Sequence, residues 1–97
     1  MRPVSLADLE VALRMLLAVP EEARRDAARR LVAAAQAGEG HRAATGLLHP
    51  EFGSGTLMSA ALRHPLAPRP AAYDRSVLSV LSILINAIDT KGTHHTD

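Results

Sequence analysis

The side chains of this chain that have the means to do chemistry are five histidines, one serine between glycines, and a run of arginines. His41, His49, His64, His94 and His95 raise the question of a metal. A tetrahedral site needs converging ligands, commonly two His four apart on one helix or His joined by carboxylates at a fixed spacing. The chain has no such pair and no cysteine to supply a thiolate. No metal and no cofactor is expected, and the histidines read as loop and surface residues. Ser54, between Gly53 and Gly55, superficially resembles a nucleophile elbow, but that turn requires a preceding strand and a sheet to hold it. The pattern shows neither. Ser54 is better suited to cap a helix that starts at Gly55 or Thr56. No glycine-rich loop ends in Lys-Ser/Thr, so a nucleotide cradle is missing as well. The expectation is a protein that is not an enzyme.

The arginines carry more weight. Arg24, Arg25, Arg29 and Arg30, with Arg42 further on, form the densest basic cluster. Glu21, Glu22 and Asp26 are interleaved with them, and Glu21–Arg25 and Asp26–Arg30 stand at helical i, i+4 spacing. The plain reading is a neutralised, solvated helix face. The functional alternative is a phosphate-contacting surface repeated over the copies of an oligomer. A formal net charge of +1 gives no global attraction to nucleic acid. Any DNA contact must therefore be local, or summed over many copies.

The elements that must position these residues are helical, because period-2 alternation is absent and capped apolar periodicity is frequent. Ser5 and Asp8 form a capping box, with Val4 and Leu9 as its hydrophobic staple. The spacing of Leu6, Leu9, Leu13, Leu16 and Leu17 then predicts a helix over Leu6 to Ala18. Pro20 opens a second helix, followed by Glu21 and Glu22 at its positive end. The short joint makes the two helices antiparallel or sharply angled neighbours, and it lacks the geometry of a DNA-reading helix-turn-helix. Ala23, Ala27, Leu31, Ala34 and Ala35 give helix two its apolar face. Gly38 and Gly40 are expected to break or weaken it after Ala37, with a short helical piece resuming from Glu39 to Thr45 and stopping at Gly46. Leu47 to Gly55 reads as a structured loop with Phe52 as its buried anchor. A third helix runs to Arg63, where Pro65 bars continuation, and Leu66 to Pro70 reads as a stiff connector. Asp74 caps a last helix over Arg75 to Thr90, with Tyr73 and Leu78 placed as its staple. Residues 1–90 are expected to form one helical domain and residues 91–97 a disordered tail.

The last helix is apolar around most of its circumference. At about 24 Å it falls short of a ~30 Å hydrocarbon core, and Ser76, Ser79, Ser82, Asn86 and Asp89 form a polar stripe, so no membrane span is expected. Such a helix must be surrounded by protein. In 97 residues, 47% apolar but with only Phe52 and Tyr73 aromatic, the core is thin. A chain of this size buries roughly 60–65% of its unfolded surface. Part of the last helix is therefore expected to meet another subunit, through Val77, Val80, Leu81, Leu84, Ile85 and Ile88. The fold class is an all-α bundle of four to five helices, assembled as a homo-oligomer. The opening Met1 to Ser5 carries one basic residue, but the apolar positions after it are broken by Asp8, Glu10 and Arg14, unlike a signal peptide, so the cytoplasm is the expected compartment.

The run His49-Pro50-Glu51-Phe52-Gly53-Ser54-Gly55-Thr56-Leu57-Met58-Ser59-Ala60-Ala61-Leu62, with Met1-Arg2-Pro3-Val4 and Leu17-Ala18-Val19-Pro20, resembles a family of short alphaproteobacterial proteins encoded upstream of the large terminase in gene transfer agent clusters. The resemblance covers most of the chain, and its motifs are structural. It implies a small terminase of a phage-type system: an oligomeric, ring-forming adaptor that binds double-stranded DNA and delivers it to the large terminase, an ATP-driven packaging motor. The chain departs from the usual phage pattern in lacking an N-terminal helix-turn-helix domain, which suits weak, non-specific binding. The resemblance supplies no DNA-contact residues; Arg24, Arg25, Arg29, Arg30 and Arg42 come from their own spacing. The alternative, from a different class, is a non-enzymatic helical protein-interaction or regulatory module with no DNA role.

Overall fold

The computed structural model describes residues 1–93 and shows four α-helices and no named strand among them: α1 Leu6–Leu17, α2 Arg24–Thr45, α3 Leu57–Ala61 and α4 Arg75–Thr93. A single 3-10 turn, Glu21–Ala23, precedes α2. The helix starts follow the chemistry of their caps. Ser5 and Asp8 form a reciprocal capping box on α1, with the Ser5 hydroxyl accepting from the Asp8 N–H and the Asp8 carboxylate accepting from the Ser5 N–H. Asp74 Oδ1 accepts from the Val77 N–H at 3.0 Å and caps α4. At the other end of α2, Gly46 adopts a left-handed φ of 75° and returns its N–H to the Arg42 carbonyl. That is the stop a glycine without Cβ allows.

Three elements, α2, α3 and α4, differ from expectation. First, α2 does not break at Gly38 but runs unbroken through both glycines. Gly38 is a contact rather than a breaker. A Cβ there would lie 3.1 Å from the Gly55 nitrogen and the Phe52 carbonyl oxygen, and 3.2 Å from that of Gly53. The loop comes down onto the helix at the one point where the helix has no side chain. Gly55 completes the fit from the opposite side, with φ of +93° and a virtual Cβ only 2.6 Å from the Glu39 Cα. Second, the cap of α3 is Thr56, whose hydroxyl accepts from the Ser59 N–H at 3.0 Å. Ser54 instead shares a hydrogen bond with the Thr56 hydroxyl. The close approach of Gly53 and Gly55 to their neighbours holds Ser54 in the loop, so the helix begins later; it also ends earlier, at Ala61. Third, α4 continues to Thr93, into the segment expected to be a tail. Residues 94–97, the rest of that expected tail, lie outside the described residues.

The core is built from α1 (Ala12, Leu13, Met15, Leu16), α2 (Ala28, Leu31, Val32, Ala35), α3 (Leu57, Ala60, Ala61) and α4 (Val77, Val80, Leu84, Ala87). The buried face of α2 is thus rotated from the expected one: Ala28 and Val32 face inward, and Ala27 and Ala34 are half-buried. Helix α2 packs mainly on α4 and α1 mainly on α3, whereas α1 and α2, though joined by only six residues, make little direct contact. The proline-rich connector straps α1. Arg14 accepts the Ala67 N–H on its carbonyl and donates its Nε–H to the Ala67 carbonyl at 2.8 Å. One turn earlier on α1, Glu10 pairs with Arg69. No described helix is long and apolar enough to cross a membrane.

Candidate functional site

The five arginines of the expected basic cluster do three different things. Arg24 is structural. Its Nε–H reaches the Leu16 and Val19 carbonyls at 3.0 Å, and Nη2 approaches Leu17, so the guanidinium satisfies the carbonyls left open where α1 ends. Arg30 forms an i, i+4 ion pair with Asp26 on the exposed face of α2. Arg42 hydrogen-bonds Glu39 at 2.7 Å. That hydrogen bond lowers the Glu39 carboxyl below its ordinary value, helped by the charges of Arg42, Arg2 and the chain's amino terminus. Arg42 also stands more than three turns beyond Arg29, about 20 Å by helical rise. It does not belong to one patch with the others.

Arg25 and Arg29 remain. They are one turn apart, exposed, and form no ion pair with another described residue; the expected Glu21–Arg25 pair is absent. Together they flank a shallow recess shared with α4, where Ile83, Asn86, Ala87 and Thr90 form the other wall. Two cations beside an amide and a hydroxyl can donate several hydrogen bonds to an anion's oxygens.

A second and larger feature is apolar. A cleft of about 650 Å³ opens between the end of α1, the 3-10 turn, α2 and the loop, floored by Met15, Ala27, Leu31 and Ala34, with Phe52 and Pro65 at one side and Asp26, Arg30 and His64 among the polar residues that line it. Small side chains make this groove: the alanines that pack α2 closely on one side leave space on the other. Phe52, expected to be buried, is half-buried and stacked on His49 with ring centroids 4.7 Å apart. The glycine contacts with α2 anchor the loop in its place. His49 is held in turn by the Glu51 and Phe52 N–H groups, both donating to Nδ1.

Residues 2–88 match the sequence family DUF7742, described as a domain of unknown function. The chain belongs to that family. No curated protein and no solved structure matches this DUF7742 chain. Among its described residues no group of three or more His, Cys, Asp or Glu is placed to hold a metal ion; His94 and His95 lie outside them.

Of the six residues expected at an oligomer interface, Val77, Val80 and Leu84 are buried against the chain's own helices and leave little surface for a second copy. Leu81 and Ile88 are half-buried, and Ile85 is 41% exposed. The stripe that sequence reasoning missed lies beside them: Leu78, 50% exposed, and on neighbouring elements Tyr73 and Leu6. A helical wheel alone signals which residues share a face. It does not say which face the other helices take.

Proposed function

We propose that this DUF7742 chain is a non-enzymatic, small-terminase-like DNA-packaging adaptor, acting in the cytoplasm as a homo-oligomer that binds double-stranded DNA weakly and recruits a large terminase. The observation that supports a DNA role is the Arg25–Arg29 pair, exposed on α2 and without an ion-pair partner among the described residues. Two arginines per copy make few phosphate contacts. Affinity then rises through multivalency, falls steeply with salt as counterions are released, and shows little sequence preference because phosphate contacts carry no base information. The role as adaptor to a packaging motor rests on the resemblance carried by His49–Leu62 with Met1–Val4 and Leu17–Pro20. The test is an anisotropy titration at low and moderate salt with two unrelated duplexes. Arg25→Glu/Arg29→Glu should abolish binding while leaving the fold intact. Binding indifferent to this reversal would acquit the pair, and no binding at low salt would remove the DNA role.

The second reading is a protein-interaction module, favoured by the apolar cleft between α1, α2 and the loop. A groove of this size with an alanine floor admits the apolar face of a helix. The two readings separate on Ala27→Glu, which fills the cleft with charge: it should leave DNA binding unchanged and abolish partner binding.

A further inference from the structure

The exposed side of α4 carries five residues at alternating spacings of three and four: Arg75, Leu78, Ser82, Ile85 and Asp89. At about 100° per residue they fall within about 80° of the helix circumference, and all five are exposed. Read along the helix, the seam is basic, apolar, small, apolar, acidic. Read in reverse it is its own complement, with Arg75 and Asp89 equidistant from Ser82.

We propose that this seam pairs with the same seam of a second copy, antiparallel, about a twofold axis at Ser82. A twofold interface presents one patch to itself and must be self-complementary, which this order of residues satisfies. Arg75 of each copy meets Asp89 of the other at both ends, Leu78 and Ile85 lie against each other between them, and Ser82 lets the helices approach closely at the axis. A parallel pair would place Arg75 on Arg75 and Asp89 on Asp89. Charge therefore selects the orientation. Arg75 is the first residue of α4, beside the Asp74 cap, and an antiparallel neighbour adds a second carboxylate at that positive end. Asp89 also has an interaction within its own chain, so its contact with the second copy is a shared one. Apolar area continues beyond the seam through Leu81 into a recess lined by Leu6, Leu9 and Tyr73, and Leu6 is 85% exposed at the edge of the same surface. This pairing stands independently of the DNA reading, whose arginines lie on α2.

The test is the mass in solution of the full chain across a wide concentration range, by sedimentation equilibrium, with helical circular dichroism to confirm folding. The chain should be a dimer whose dissociation constant rises roughly tenfold or more with Arg75→Glu or with Asp89→Arg, since each reversal turns two attractive pairs repulsive. The exchange Arg75→Glu/Asp89→Arg should restore the dimer, and mixing the two single variants should give a heterodimer. Because the chain has no cysteine, Ser82→Cys should oxidise to a disulfide-linked dimer, and Ser76→Cys, on another side of α4, should not. A chain that stays monomeric at every concentration, or a dimer indifferent to both reversals, overturns the proposal. So does a dimer that survives Leu78→Glu.

Discussion

The Asp8 carboxylate accepts the backbone N–H of Met58 at 3.0 Å, although the two residues are separated by fifty positions. Its other oxygen is already occupied by the Ser5 N–H and hydroxyl. One buried side chain therefore closes the first turn of α1 and the first turn of α3 together, and it fixes how the two helices meet.

This arrangement predicts a pH dependence. Burial raises the Asp8 pKa, but the hydrogen bonds from the Ser5 N–H, the Met58 N–H and the Ser5 hydroxyl outweigh it and hold the carboxyl below its ordinary value. A carboxyl depressed in the folded state contributes stability that is complete above its unfolded pKa of about 3.9. That contribution is lost as pH falls through the lower folded value. Asp8→Asn should cost about 1–2 kcal/mol in urea denaturation at neutral pH. The gap between variant and parent should narrow as the pH drops below about 4. A gap of constant size at all pH values would contradict the assignment.

Three glycines near the loop should respond differently to alanine. Gly40 faces open space in the interior of α2, so Gly40→Ala should raise stability by about 0.5–1 kcal/mol through helix propensity alone. Gly38→Ala gains the same propensity but presses its methyl on three backbone atoms of the loop, and should end about 1 kcal/mol or more below Gly40→Ala. Gly55→Ala combines a positive φ with a backbone collision at Glu39 and should cost about 2–4 kcal/mol. Thermal melts of the three variants check the order.

The arginines divide in the same manner. Arg24→Gln should lower stability by about 1–2 kcal/mol, because the last carbonyls of α1 lose a charged donor. Arg25→Gln and Arg29→Gln should stay within about 0.5 kcal/mol of the parent, as exposed changes without an ion-pair partner among the described residues. If Arg24→Gln melted with the parent, its role as the C-terminal partner of α1 would be refuted.

The cap of α3 supplies a fourth test. Thr56→Ala should cost about 1 kcal/mol and Ser54→Ala less, since of these two hydroxyls Thr56 is the one that accepts from a backbone N–H of the helix. The reverse order would return the cap to Ser54.

What was legible in the sequence is what depends on neighbours in the chain. The Ser5–Asp8 box, the Asp74 cap and the stop at Gly46 are local chemistry, and each stands as the residue types predict. The contact of Asp8 with Met58 is not local, and no spacing announces it. Gly38 misleads for the same reason: its intrinsic preference is to weaken a helix, and only the loop fifteen or so residues later turns the missing side chain into a seat. The arginine cluster was visible as a cluster, but the assignment of Arg24 to the end of α1 needs the angle between α1 and α2. On α4, periodicity shows a helix apolar nearly all round. Which side α1 and α2 cover, and hence that Leu78 and Ile85 are left outside while Val80 and Leu84 are inside, depends on packing.

The seat at Gly38 also divides α2 into two parts of unequal persistence. Ala28, Leu31, Val32 and Ala35 are held by the core, so their turn of helix opens only when the whole bundle does. Beyond Gly38 the helix has another glycine, side chains that are exposed or only half-buried, and a loop resting on it through the glycine backbone contacts and the edge-on pair of His41 and His49 rings. Amide protons from Glu39 to Thr45 should then exchange with solvent through a partial opening in which the loop lifts away, while those around Val32 wait for global unfolding. A single, apparently continuous helix would behave as a fixed rod over its first half and as a reversible latch over its second.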